Sequence, residues 1–269
     1  MLNTTFYKLL FGQLLLLWVI SGCATTTHNP DPLEPFNRAI FVFNDGLDKT
    51  MLKPLAKVYK TIVPKPVDKG VSNFFSNLDD VVVIANDLLQ FKFKQAASDT
   101  GRVLVNSTVG LVGFIDVATK LNLPKHDEDF GQTLGYWGVG SGPYLVLPLF
   151  GESSIRDSLG QGADTFLDPL FYYTASQVDG SALAPYVLKG VDERAGLLEL
   201  ETVLEAAALD EYSYRRDAYL ARREYLVYDG NPPQDDEIFD DDEDLFDDDQ
   251  EDEDLDDLFD PSTDESATN

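Results

Sequence analysis

Just after Asn29-Pro30-Asp31-Pro32, which breaks any helix running in from the amino terminus, Phe36, Ile40, Phe43, Leu47 and Met51 recur three or four positions apart. That spacing predicts a helix. Phe41 and Val42 fall off its stripe, so the helix is apolar on more than one side, as in a large core or in lipid. Pro54, Pro64 and Pro66 are expected to end short segments, and Asn77-Leu78-Asp79-Asp80 reads as a cap before the apolar run Val81 to Leu89. The β-branched run Val81-Val82-Val83-Ile84 also suits a strand, but continuation through Ala85, Leu88 and Leu89 without a turn favours a helix. Phe93 to Asn106 is a further helix. Near the end of the body, Leu197, Leu200, Leu204, Ala207 and Ala208 stripe a long helix that Arg215, Arg216, Arg222 and Arg223 continue, with Tyr212, Tyr214, Tyr219, Tyr225 and Tyr228 interleaved. This basic, aromatic stretch fits either anionic headgroups or a solvated face paired with acids. The body is therefore expected to be mostly α.

The amino terminus follows a different pattern. Lys8 precedes an apolar run from Leu9 to Ile20, and the small residues Ser21 and Gly22 lead to Cys23, the sole cysteine of 269 residues. This is the layout of a cleaved export signal, and the run falls short of the about 20 apolar residues that span a bilayer. Ile20-Ser21-Gly22-Cys23 resembles the bacterial lipoprotein signal, which implies a cysteine acylated on its sulfur and new amino group. Two or three acyl chains anchor stably where one binds reversibly. Ala24, where aspartate would signal inner-membrane retention, points to the outer membrane. With its cysteine consumed, the mature chain must fold without disulfides, which its length permits.

Charge is concentrated at the other end. Of 48 acidic residues, 20 lie between Asp235 and Asn269, where there is no Lys or Arg, so the tail carries most of the net charge of −28. It is expected to be disordered. Glu237-Ile238-Phe239-Asp240, Asp244-Leu245-Phe246-Asp247 and Asp257-Leu258-Phe259-Asp260 repeat an apolar-aromatic pair within it, which suits either solubilisation or docking to a basic groove. So acidic a chain is a poor match for nucleic acid.

The stretch from Phe130 to Gly151 is the most unusual part of the body. Gly131, Gly135, Gly138, Gly140 and Gly142 alternate with Tyr136, Trp137 and Tyr144, Pro143 follows, and Leu145-Val146-Leu147-Pro148-Leu149-Phe150 closes it. Neither a dinucleotide fingerprint nor a phosphate loop is spaced this way. A bent segment at a membrane interface, where Trp and Tyr are favoured, fits better. Ser141 lies outside any Gly-x-Ser-x-Gly elbow, and His126-Asp127-Glu128-Asp129 reads as a solvated loop, so no catalytic, metal or cofactor set emerges.

Three segments carry a family resemblance: Asp31-Pro32-Leu33-Glu34-Pro35-Phe36-Asn37-Arg38; Asn106-Ser107-Thr108-Val109-Gly110-Leu111-Val112-Gly113-Phe114-Ile115-Asp116-Val117-Ala118; and Asp129-Phe130-Gly131-Gln132-Thr133-Leu134-Gly135 running to Tyr144, continued by Ser153-Ser154-Ile155-Arg156-Asp157. Together they resemble the MlaA, or VacJ, lipoprotein family. The resemblance implies a ring-shaped helical body embedded in the periplasmic leaflet of the outer membrane. Its expected work is to pass stray outer-leaflet phospholipid through an amphipathic channel to a soluble periplasmic carrier while bound to a trimeric porin. It implies that Phe43 and Asn44 bear on channel opening and that Gly131 to Gly142 lie near the channel; core packing is the competing role for both. The organisation expected is a signal at 1–22, a lipidated linker at 23–32, the helical domain at 33–230 and the tail at 231–269. A tethering lipoprotein and, more remotely, a phospholipase are the alternatives. No Walker motif supplies energy, so drive must come from partners.

Overall fold

The computed structural model describes residues 31–177, 181–207 and 210–233. Cys23, its linker up to residue 30 and the acidic tail from residue 234 lie outside the described residues.

The first helix, α1 (Glu34–Leu47), has Pro35 in its opening turn and leads without a break into a π-helical turn, Asp48–Leu52. That turn leads directly into α2 (Lys53–Ile62). Pro54 therefore begins a helix where the sequence predicts an end, because the wider turn before it tolerates a residue with no N–H. Pro66 likewise sits in the first turn of α3 (Lys65–Leu89), with Pro64 as its extended N-cap. Helix α3 contains the whole run from Val81 to Leu89, so helix prevails over strand. The expected cap at Asn77 to Asp80 is instead mid-helix. Asn77 and Asp80 are buried there, and Asn77 Nδ2 donates to Ser107 Oγ at 3.0 Å on α4 (Phe93–Thr108).

Beyond α4 come α5 (Phe130–Tyr136), an antiparallel hairpin of β1 (Tyr144–Leu147) and β2 (Gly151–Ser154), and α6 (Ile155–Asp164). The short α7 (Pro169–Ala175) precedes α8 (Ala184–Ala207) and α9 (Glu211–Val227). The glycine-aromatic stretch is thus half helix and half hairpin rather than one bent segment. Its first glycines serve close packing: a Cβ on Gly160 of α6 would stand 2.3 Å from the Gly131 nitrogen, so α5 and α6 meet backbone to backbone. The long C-terminal helix is also two helices, because Asp210 caps α9 by accepting from the Tyr212 N–H.

The distribution of side chains is inverted. Buried polar residues outnumber buried apolar ones, while Phe43, Ile62, Phe91, Phe93, Leu111, Val112, Leu149, Phe150 and Phe166 are among many large apolar side chains left exposed. Among the described residues, no helix is long and apolar enough to cross a membrane. The compact apolar cluster joins Tyr144 and Val146 of β1 to Tyr212 of α9, with Ile40 and Phe41 of α1 against them.

The buried face between α3 and α4 has a titratable centre. Asp87 is fully buried, neither of its oxygens meets a donor, and it faces Asp99, which is itself 0 % exposed. Burial, then the contact and charge of Asp99 and the charge of Glu128, push Asp87 up to about 8 against the pull of Lys92. At neutral pH Asp87 therefore keeps its proton beside Asp99, which itself meets His126 Nδ1 at 2.8 Å. The His126 loop is therefore built into the polar interior rather than solvated. The unfolded chain releases the Asp87 proton near pH 4, so stability falls as pH rises from about 4 to about 8 and then levels. Asp87→Asn, a neutral donor, is expected to flatten that slope and be more stable at pH 8 by about 1–3 kcal/mol. Melting curves in detergent across this range check it; parallel profiles for the two proteins would refute it.

Candidate functional site

A cavity of about 680 Å³ opens between α1 with its π turn, the tip of the hairpin, α8 and the start of α9. Its lining mixes apolar side chains, among them Leu47, Met51, Leu55, Leu149, Phe150 and Leu197, with charged ones. Arg194 of α8 grips Asp48 of the π turn through two bonds of 2.7 and 2.9 Å and reaches Glu201 at 2.8 Å, while Lys53 holds Glu201 at 2.9 Å. These bonds, led by that to Asp48, raise the Arg194 guanidinium further, and Lys53 and Arg194 outweigh burial to hold the Glu201 carboxyl below its usual range. Such a cavity suits a ligand with a polar end and an apolar end.

Helix α1 carries the hairpin to the cavity through two asparagines. Asn37 Nδ2 donates to the Tyr144 carbonyl at 3.0 Å while its Oδ1 accepts from the Val146 N–H at 2.9 Å, on the edge of β1 that β2 leaves open. Two turns further along the same helix, Asn44 donates to the Leu147 carbonyl and accepts from the Leu149 N–H, both at 2.9 Å, in the hairpin turn. Seven helical residues rise about 10.5 Å, and the three strand residues from Tyr144 to Leu147 advance about 10 Å, so the two amides meet matching groups. Leu149, at φ 71°, is thereby held against its backbone preference at the cavity edge.

The expected site residues separate. Asn44 lines the cavity; Phe43 does not, and is half-exposed on α1. Gly131 and Gly135 pack inward, against Asp157 and Arg223, and against Val227 and Arg156. Tyr136 and Trp137 are half-exposed, and Trp137 Nε1 donates to the Leu89 carbonyl at 3.2 Å. Gly138 and Gly142 occupy positive-φ turns, Gly140 is an exposed link between them, and the Pro143 carbonyl accepts from the Ile155 N–H. None of these glycine-stretch residues borders the cavity; its apolar end, Leu149 and Phe150, does. Of the arginines, Arg215 meets Glu152, Arg216 meets Asp217 and Arg223 meets Asp129 and Asp157, while Arg222 is exposed, so three of the four are paired with acids. Sequence periodicity missed Arg194, Glu193, Glu201 and Asp48. A basic and an acidic residue seven apart on α8 was the available sign.

Known proteins resemble this chain over most of its length. The family model described as MlaA lipoprotein matches residues 29–226. An Escherichia coli protein named intermembrane phospholipid transport system lipoprotein MlaA is 36% identical over 227 residues, covering 82% of this chain and 88% of its own. A Haemophilus influenzae protein of the same name is 33% identical, covering 83% and 92%. A solved structure reported as the structural basis for maintenance of bacterial outer membrane lipid asymmetry superposes with a TM-score of 0.64 at 35% identity, covering 73% of this chain and 98% of that one. With the motif at Asp31, the glycine-aromatic stretch and a cavity of mixed polarity on one polypeptide, the chain belongs to the MlaA lipoprotein family.

Proposed function

We propose that this protein removes phospholipids that have strayed into the outer leaflet of the outer membrane and hands them through its cavity to a soluble periplasmic carrier, maintaining lipid asymmetry. The observation that carries this reading is the cavity itself, lined by both apolar and charged side chains, in a body whose exterior is rich in exposed apolar side chains. Such a lining can take both the acyl chains and the headgroup of a lipid. In this reading lipidation at Cys23 sets the leaflet, the exposed apolar surface supports a body set into it, and a trimeric porin is the partner that keeps it at the right depth. Asn44 fixes the hairpin wall and Phe43 faces the surroundings of α1. No bond is broken in this process, and His126, the imidazole among the described residues, is engaged with Asp99 rather than with a serine.

The test uses the full chain reconstituted in vesicles with labelled phospholipid and a soluble acceptor. Gly190 lines the cavity from α8 and has open space around it, so Gly190→Trp can place an indole there without displacing the helix. Transfer is expected to fall to the protein-free background. Equal transfer by wild type and variant would leave a tethering role in its place, and released fatty acid would indicate hydrolysis.

A further inference from the structure

The charges around the cavity do not balance, and the imbalance has one address. Six carboxylates line it, Asp45, Asp48, Glu152, Glu193, Glu201 and Glu211, against three cations, Lys49, Arg194 and Arg215. Each of those cations already has an acidic partner: Lys49 holds Asp45, Arg194 holds Asp48 and Glu201, and Arg215 holds Glu152 and reaches Glu211. Among the described residues, Glu193 alone of these carboxylates has no hydrogen bond or ion pair. It is open to the cavity, one helical position before Arg194.

Resting on the transport reading above, we infer that Glu193 is a headgroup-selecting residue that favours phospholipids bearing a primary ammonium, the ethanolamine type, over anionic ones. A phosphate is common to both classes and does not discriminate between them. An ammonium finds an unpaired carboxylate, whereas an anionic headgroup meets a net negative rim whose cations are already taken, so the difference arises from attraction on one side and repulsion on the other. The surroundings strengthen the effect. Though its side chain is exposed to the cavity, the protein around it and then the charges of Asp79 and Asp192 push the Glu193 carboxyl up against the pull of Lys189, so an arriving ammonium relieves that unfavourable charge and is favoured there. The apolar lining residues Leu47, Met51 and Leu197 make the occupant a lipid rather than a free amine.

The experiment equilibrates the full-length protein in detergent with vesicles of equimolar phosphatidylethanolamine and phosphatidylglycerol, repurifies it and quantifies bound lipid by mass spectrometry. Wild type is expected to carry the ethanolamine lipid in roughly three- to tenfold excess, the range of a partly shielded charge pair. Glu193→Gln is expected to return the ratio to that of the vesicles, and Glu193→Asp to keep part of the preference. Because Glu193 is exposed and unpaired, neither change threatens folding. A wild-type ratio equal to the vesicles, an excess of the anionic lipid, or a preference surviving in Glu193→Gln overturns the inference and leaves transport standing. Protein that binds no lipid of either kind overturns the transport reading itself.

Discussion

Arg223→Leu is expected to destabilise the folded body by about 3–5 kcal/mol, the cost of removing one member of a buried ionic group. The guanidinium joins three helices. It reaches both oxygens of Asp129, at 2.5 and 2.9 Å, and Asp157 at 2.9 Å. Asp129 caps α5 through the Gln132 N–H, and Asp157 sits in the first turn of α6, where it also accepts from Tyr219 at 2.6 Å. Burial alone would push both carboxyls up; Arg223 outweighs it and holds both below their usual range. Leucine fills the space but leaves two carboxylates facing one another where Gly131 admits no rearrangement. Arg156, 2.9 Å from Asp157, compensates in part, so the effect belongs at the lower end of the range. At about 2–4 °C per kcal/mol for a domain of this size, the melting point should drop by roughly 6–12 °C. Arg223→Lys should fall between, because it keeps charge and loses the fork. A leucine variant melting with wild type in detergent would show that the acids are satisfied without the arginine.

Asn37→Ala is expected to cost about 2–5 kcal/mol and to loosen the hairpin selectively. Asn37 is 0 % exposed and makes three hydrogen bonds, to Asp31 at 2.8 Å and to the backbone of Tyr144 and Val146. Alanine would strand a carbonyl and an N–H beside the Tyr144, Val146 and Tyr212 cluster, and each buried group left without a partner costs about 1–3 kcal/mol. Asn37→Asp should be no better, since an ionised side chain cannot donate to the Tyr144 carbonyl and would face Asp31. Hydrogen exchange resolves the location: the Val146 amide should lose protection while amides of α3 and α4 keep theirs. Uniform loss across the body would mean that Asn37 stabilises the fold generally rather than the hairpin.

Much of this architecture was legible in the chain because it repeats locally. The stripe from Phe36 to Met51 and the run from Val81 to Leu89 carry a 3.6-residue period, and both are helical. What misled was punctuation. Pro54 and Pro66 read as terminators, but Pro66 opens a helix, where a first-turn proline sacrifices no internal bond, and Pro54 directly follows a π turn inside a continuous helical run. Asn77 and Asp80 read as a cap because polar residues in mid-helix are costly unless partnered, and their partners, Ser107 and Lys125, come from elsewhere in the chain. The cavity was the least legible part. Glu193 and Arg194 lie on opposite terms with the same cavity, one unpaired and one doubly engaged, and only the approach of Asp48 and Glu201 distinguishes them. An amphipathic channel was expected through resemblance; of the residues that line the cavity, Asn44 was named in advance, and the charged set of Asp48, Glu193, Arg194 and Glu201 was not.

The spacing of Asn37 and Asn44 turns α1 into a ruler. Inserting or deleting one residue between them would swing one amide about 100° around the helix and shift it 1.5 Å relative to the other. The edge of β1 and the hairpin turn could then no longer be held together. Substitutions such as those at exposed Val42 and Phe43 leave the interval intact. In this stretch the number of residues matters more than their identity, and chain length becomes a determinant of cavity shape.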